Sequence, residues 1–151
     1  MRLVRTIPAL PVKNIETATE FYREKFGFSV FHKEDGFAIV KRDEIEVHLW
    51  AANDEGWKRR SNLSDDIVHS GAESFIAGTA SCRIEVKGID DLFAEYRASG
   101  VLYDIVLGRH GRDPEVTTEP WGVRDFDTLD LEHNLLTFFE VLDANHEPPG
   151  D

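Results

Sequence analysis

A chain of 151 residues, 41% hydrophobic, is sized for one domain or for two small modules sharing a core. Its formal net charge of -12 argues against nucleic acid and anionic membranes as partners and permits a cationic ligand, although acid also serves plain solubility. The single Cys82 excludes an internal disulfide and a multi-cysteine zinc site, and fits a reducing, cytoplasmic compartment. No apolar run reaches the roughly 18 residues of a membrane span, and MRLVRTIPALPV enters a strand pattern without the apolar stretch of a signal peptide.

Residues 6–12, TIPALPV, read as a strand. Pro8 and Pro11 have no N–H for a ladder, so this strand belongs at a sheet edge or exchanges with a partner. Asn14 is a suitable N-cap for a helix over 15–25, whose Ala18, Phe21, Tyr22 and Phe26 recur at near-helical spacing. Gly27 supplies the left-handed residue that ends it. Three strands follow at Phe28–Lys33, Phe37–Lys41 and Ile45–Trp50, joined by turns at Asp35-Gly36 and Asp43-Glu44. Residues 51–79 are rich in Asn, Asp, Ser, Gly and charge and read as a long loop, with a helical turn near Trp57–Arg60.

The first pattern then returns. Ala80–Val86 reads as a strand, Asp90 as the N-cap of a helix over 91–99, and Gly100 as its end. At an offset of 74 residues, Val12, Lys13, Ile15, Tyr22 and Arg23 match Val86, Lys87, Ile89, Tyr96 and Arg97. Three more strands follow, at about Tyr103–Leu107, Val123–Leu129 and Leu135–Val141. The chain therefore reads βαβββ twice, an internal duplication. The domain is expected to span 1–142, with module one at 6–50 and module two at 80–142. The polar, proline-bearing tail 143–151 is expected to be disordered.

Strand parity assigns faces. If Pro8, Leu10 and Val12 pack on the helix, Ile7 and Ala9 face the other, concave side. The concave side then receives Glu46, His48 and Trp50 in module one, and Ser81, Arg83, Glu85, Leu135, Thr137 and Phe139 in module two. Cys82 points toward the helix, where a thiol is usually inert. No nucleophile stands beside a base in sequence, and GRHGR lacks the spacing of a phosphate loop.

The segments PV…FYREKFGF (Pro11–Phe28) and DLEHNLLTFFE (Asp130–Glu140) resemble the vicinal oxygen chelate superfamily, also called the glyoxalase/bleomycin resistance/dioxygenase superfamily, over about residues 6–141. Leu131-Glu132-His133 stands where that family usually has Pro-x-Gly. EDGFAIVKRDEIEVHLWA (34–51) and EPWGVRDFDTLDLEHN (119–134) are most similar to the bleomycin-binding resistance proteins. The resemblance implies an α+β fold of two βαβββ modules whose curved sheets form a groove, in a homodimer with its N-terminal strand exchanged.

The superfamily's enzymes bind a divalent metal at strand positions that transfer to Ile7, His48, Ser81 and Thr137. Only His48 of these is a good ligand, and a catalytic ion needs about three. Glu46 and Glu85 share the face with His48; Glu140 points away from it. No metal or other cofactor is therefore expected. The ligand-binding residues expected from the resemblance are Phe37 and Trp121, as flat stacking surfaces for a planar drug, with Trp50, His48 and Ser81 on the floor and Asp35 among the acids around it. Glu46, Asp54 and Glu55 are further acids, and Trp57 and Phe75 further aromatics, although packing or solvation explains any one of them equally well. Arg83, Lys58, Arg59, Arg60, Arg109 and Arg112 run against a strongly cationic ligand. The expected function is resistance to a bleomycin-type antibiotic by binding and sequestration without catalysis. The alternatives are a metal-dependent lyase, dioxygenase or transferase of the same superfamily, and a binder of another planar molecule.

Overall fold

A computed structural model describes residues 1–52, 76–105, 108–110 and 114–143, with 109 and 110 as backbone only. The chain divides into two compact units, Met1–Ala80 with Asp130–Asn134, and Ser81–Leu129 with Leu135–Asp151. Trp57, Phe75, Asp54, Glu55, Lys58, Arg59, Arg60 and Arg112, the helical turn expected near Trp57–Arg60, the side chain of Arg109, and all of the tail beyond 143 lie outside the described residues.

In the first unit, β1 (Ala9–Val12), α1 (Ile15–Lys25), β2 (Ser29–Glu34), β3 (Phe37–Arg42) and β4 (Ile45–Ala51) follow the expected βαβββ order. The sheet runs β1-β4-β3-β2, with β1 parallel to β4 and the other pairs antiparallel. The helix begins where Asn14 accepts the Thr17 N–H at 2.9 Å. Glu16 in its first turn and Arg23 and Lys25 in its last complement the helix dipole. Gly27, at φ 73°, then turns the chain back. The strand expected over 6–12 is shorter, since the ladder holds only Ala9–Val12. Pro8 has no N–H to give, though its carbonyl still accepts from His48 N at 3.0 Å. As two prolines require, β1 is an edge strand.

Leu10, Val12, Val40, Val47 and Leu49 are buried on the side of the sheet that carries Tyr22 of α1 and Phe26 at its C-cap. Each such side chain contributes about 1.5–3 kcal/mol relative to an exposed one. The β2–β3 register shifts between Val30 and His32, a bulge that leaves Phe31 as the extra residue. Asp130–Asn134 closes this unit. Asp130 is buried and takes hydrogen bonds from Tyr22 Oη (2.9 Å), Asn134 N (2.8 Å), Asn134 Nδ2 (2.9 Å) and Glu132 N (2.9 Å). Asn134 Nδ2 also donates to the Pro11 carbonyl at 2.9 Å. Burial pushes the Asp130 carboxyl up, against the opposing hydrogen bonds from Asn134, Tyr22 and Glu132.

The second unit comprises β5 (Ser81–Glu85), α2 (Ile89–Ser99), β6 (Leu102–Asp104), β7 (Arg109–His110), β8 (Thr117–Glu119), β9 (Val123–Leu129) and β10 (Leu135–Val141). Its sheet runs β5-β10-β9-β6-β7, and β8 also pairs with β9. Strands β5, β10, β9 and β6 thus repeat the order β1-β4-β3-β2, as the duplication requires. Phe126 and Phe138 stack at 5.6 Å and meet Tyr96 of α2 edge-on. Tyr96 is buried like its counterpart Tyr22.

Three expectations need correction here. The N-cap of α2 is Gly88, at φ 86°, and not Asp90, which lies inside the first turn. There its carboxylate holds Arg124 through two bonds, at 2.8 and 3.0 Å, and that pairing draws it away from a capping role. Strand β6 ends at Asp104, with Ile105 already in a turn, and residues 106 and 107 of the expected strand lie outside the described residues. Strands β7 and β8, of two and three residues, are too short to leave a periodic pattern in the sequence.

Candidate ligand-binding faces

Antiparallel register builds the candidate face of the first unit. Phe37 pairs with Trp50, Ile39 with His48 and Lys41 with Glu46, so all six project from one side of β3 and β4. The opposite side carries Ala38, Val40, Val47 and Leu49, all buried. The Phe37 and Trp50 rings lie 4.5 Å apart at 40°. His48 meets Phe37 edge-on at 5.1 Å, and His32 of β2 lies 6.0 Å from Phe37. These separations fall in the range of favourable aromatic pairing, worth about 0.5–1.5 kcal/mol each beyond area burial. The result is a partly exposed aromatic platform with Phe37 at its centre.

Charge gathers beside the platform. Glu46 accepts from His48 Nε2 at 3.1 Å and pairs with Lys41 Nζ at 3.3 Å and Arg5 at 3.9 Å. Desolvation pushes its carboxyl upward, but the hydrogen bonds from Lys41 and His48 and the Arg5 and Lys41 charges outweigh this and hold it below the ordinary carboxylate range. Lys41 also lies over the exposed Phe31 ring, 3.7 Å from its centroid. Asp35 is exposed in the β2–β3 turn.

On the second unit, Ser81, Arg83 and Glu85 are exposed on β5 and pair in register with Leu135, Thr137 and Phe139 of β10. Thr137 is buried and donates to Asp127 Oδ1 at 2.6 Å. Arg83 lies 3.5 Å from Asp125 and 5.1 Å from the Phe139 centroid. Burial, followed by the Asp125 and Asp104 charges, raises the Asp127 carboxyl, with Thr137 and Arg83 opposing. Desolvation and the Asp125 and Asp127 charges raise Glu119 likewise.

Trp121 tips the β8–β9 hairpin. Gly122 N donates to the Glu119 carbonyl at 3.1 Å, and Gly122 takes φ 87°. Pro120-Trp121-Gly122 is thus a three-residue hairpin loop closed by a left-handed glycine. The loop leaves the Trp121 side chain 66% exposed.

The structure brings Phe37, Trp50 and His48 together. Asp35 lies in a turn of the same unit, while Ser81 and Trp121 stand at opposite edges of the second sheet. Glu140 is directed away from the Thr137 side, where it accepts from Gly88 N at 2.7 Å. Cys82 is half-buried on the same side of β5 as Ile84. Lys41 and Arg5 beside Glu46, and Asp127 beneath Thr137, were not legible in the sequence. Register within the β3–β4 and β9–β10 hairpins sets Lys41 opposite Glu46 and Asp127 opposite Thr137, and the segment before β1 brings Arg5 to Glu46.

The donor set at the superfamily's metal positions does not fit a divalent ion. Ile7 has no donor atom, Ser81 is an exposed hydroxyl, and the Thr137 hydroxyl is committed to Asp127. His48 has one carboxylate neighbour, Glu46. Among the described residues, no group of three or more His, Cys, Asp or Glu side chains is placed to hold a metal.

Two units that share the βαβββ order, the second with two short added strands, and with aromatic and acidic residues on the sheet faces away from the helices, define the class. Residues 3–127 match the model of the Glyoxalase/Bleomycin resistance protein/Dioxygenase superfamily, and the chain belongs to that superfamily. It is 46% identical over 140 residues to the bleomycin resistance protein of Geobacillus stearothermophilus, covering 93% of this chain and 98% of that one. The bleomycin resistance protein of Staphylococcus aureus gives the same figures. Among solved structures, the fold is similar to the bleomycin-binding protein of Streptomyces verticillus in complex with copper(II)-bleomycin. That match has a TM-score of 0.60 and 22% identity over 91% of this chain and 96% of that one. The fold is also similar to a bleomycin resistance determinant encoded on transposon Tn5, with a TM-score of 0.62 and 18% identity over 92% and 98%.

Proposed function

We propose that this protein confers resistance to bleomycin-type antibiotics by binding the drug and keeping it from its target, without catalysis. The observation that carries the reading is the 46% identity to bleomycin resistance proteins over 98% of their length. The faces supply suitable chemistry. Phe37 and Trp50 offer a flat, half-exposed platform, Trp121 offers a second flat surface, and Asp35, Glu119 and Asp125 supply negative charge for a cationic ligand. His48 and Ser81 complete the proposed contacts. The protein acts as a cytoplasmic homodimer, and 1–142 form its single domain. No helix among the described residues is long and apolar enough to cross a membrane.

Titrating tryptophan fluorescence with metal-free bleomycin tests the reading. Saturable quenching at micromolar drug is expected; no binding in that range defeats it. Metal analysis of the purified protein tests the non-catalytic part, which stoichiometric iron, manganese, nickel or zinc would overturn.

A further inference from the structure

The Glu46–His48 contact fixes more than a ring position. Glu46 has Lys41 at 3.3 Å and Arg5 at 3.9 Å beside it, which keep it an ionised carboxylate. An ionised carboxylate only accepts hydrogen bonds. Its 3.1 Å bond to His48 therefore requires the imidazole proton on Nε2. In a neutral imidazole this leaves Nδ1 as a lone-pair acceptor. Among the described residues nothing donates to Nδ1. The His48 side chain is 24% exposed, and its ring meets Phe37 edge-on at 5.1 Å. This partly exposed ring thus stands at the border of the Phe37–Trp50 platform. Among the described residues, His32 and Glu34, which β2 presents on this face, are engaged with each other at 3.3 Å.

We propose that Glu46 is a positioning residue that locks His48 in the Nε2–H tautomer, so that His48 Nδ1 accepts a hydrogen bond from an N–H group of the ligand laid against Phe37 and Trp50. The inference deepens the proposed drug-binding function and rests on it. It assigns the ligand chemistry at this point: a planar group carrying an amide, amine or ammonium N–H at its edge. A ligand edge that offers only acceptors would face the Nδ1 lone pair and lose affinity there.

The test is ¹⁵N NMR of the full-length protein, at about pH 8, above the ordinary histidine titration. A protonated imidazole nitrogen and a lone-pair nitrogen resonate far apart. In the free protein, His48 Nε2 is expected to be protonated and Nδ1 bare. Saturation with metal-free bleomycin should move Nδ1 in the direction of hydrogen-bond acceptance and leave Nε2 in place. Glu46→Gln, whose amide can either accept or donate, should mix the two tautomers and weaken binding. His48→Phe, which keeps the edge contact to Phe37 but removes the acceptor, should weaken binding about tenfold, the scale of one hydrogen bond. A proton on Nδ1 in the free protein overturns the inference, as do tautomers unmoved in Glu46→Gln. So does a stationary Nδ1 signal while tryptophan fluorescence reports bound drug. If fluorescence reports no bound drug, the sequestration reading fails, and the tautomer result still decides the role of Glu46.

Discussion

Gly78 shows how one backbone angle constrains a residue. It sits at φ 82°, and a Cβ there would overlap the Glu132 carbonyl oxygen, which is backbone and cannot rotate aside. Gly78→Ala is therefore expected to destabilise by about 2–4 kcal/mol, read as a lower urea midpoint at unchanged slope. A matching cost of 0.5 kcal/mol or less would show that the loop yields. Asp127 carries the pH dependence at this scale. Burial and its acidic neighbours raise its carboxyl above the unfolded value, so its contribution to stability is fully present below the unfolded pKa and is lost as pH rises through the folded one. Asp127→Asn should consequently raise the denaturation midpoint at about pH 7, with the gain over wild type shrinking toward about pH 4. A gain that grows on acidification would reverse the assignment.

At the scale of elements, the β8–β9 hairpin holds Trp121 away from the packed interior. Trp121→Ala should weaken drug binding by about 1–3 kcal/mol if the ring is an anchor, and leave the thermal midpoint nearly unchanged because the side chain is 66% exposed. Phe37→Ala is expected to weaken binding too, but with a measurable loss of stability, since it also removes the ring contacts to Trp50 and His48. The elements themselves were largely legible in the sequence. Asn14, Gly27 and Gly100 mark helix ends, and the alternation in IEVHLW already places Glu46, His48 and Trp50 on one side of β4. Asp90 misled because an acidic residue near a helix start suits a cap and a first-turn ion pair equally well. Only Arg124, 34 residues away, decides between them.

For the whole molecule, the acidic charge and an exposed apolar N-terminus make a joint prediction. Leu3 is 97% exposed and Val4 79% in the single chain, although both are apolar. A homodimer that covers them is the proposed state. Sedimentation should give twice the chain mass of 17.2 kDa, and a Leu3→Glu, Val4→Glu variant should dissociate at concentrations where wild type does not. A monomeric wild type at micromolar concentration would remove the proposal. The sequence by itself determined the duplication, the two helices, the major strands and the residues on each strand face, because helix and strand periods and capping chemistry are local. It also narrowed the metal question, since His48 is the one good ligand among Ile7, His48, Ser81 and Thr137. Tertiary structure decided which distant strands pair and in what register. Register within the β3–β4 and β9–β10 hairpins sets Lys41 against Glu46 and Thr137 against Asp127, and the segment before β1 brings Arg5 to Glu46.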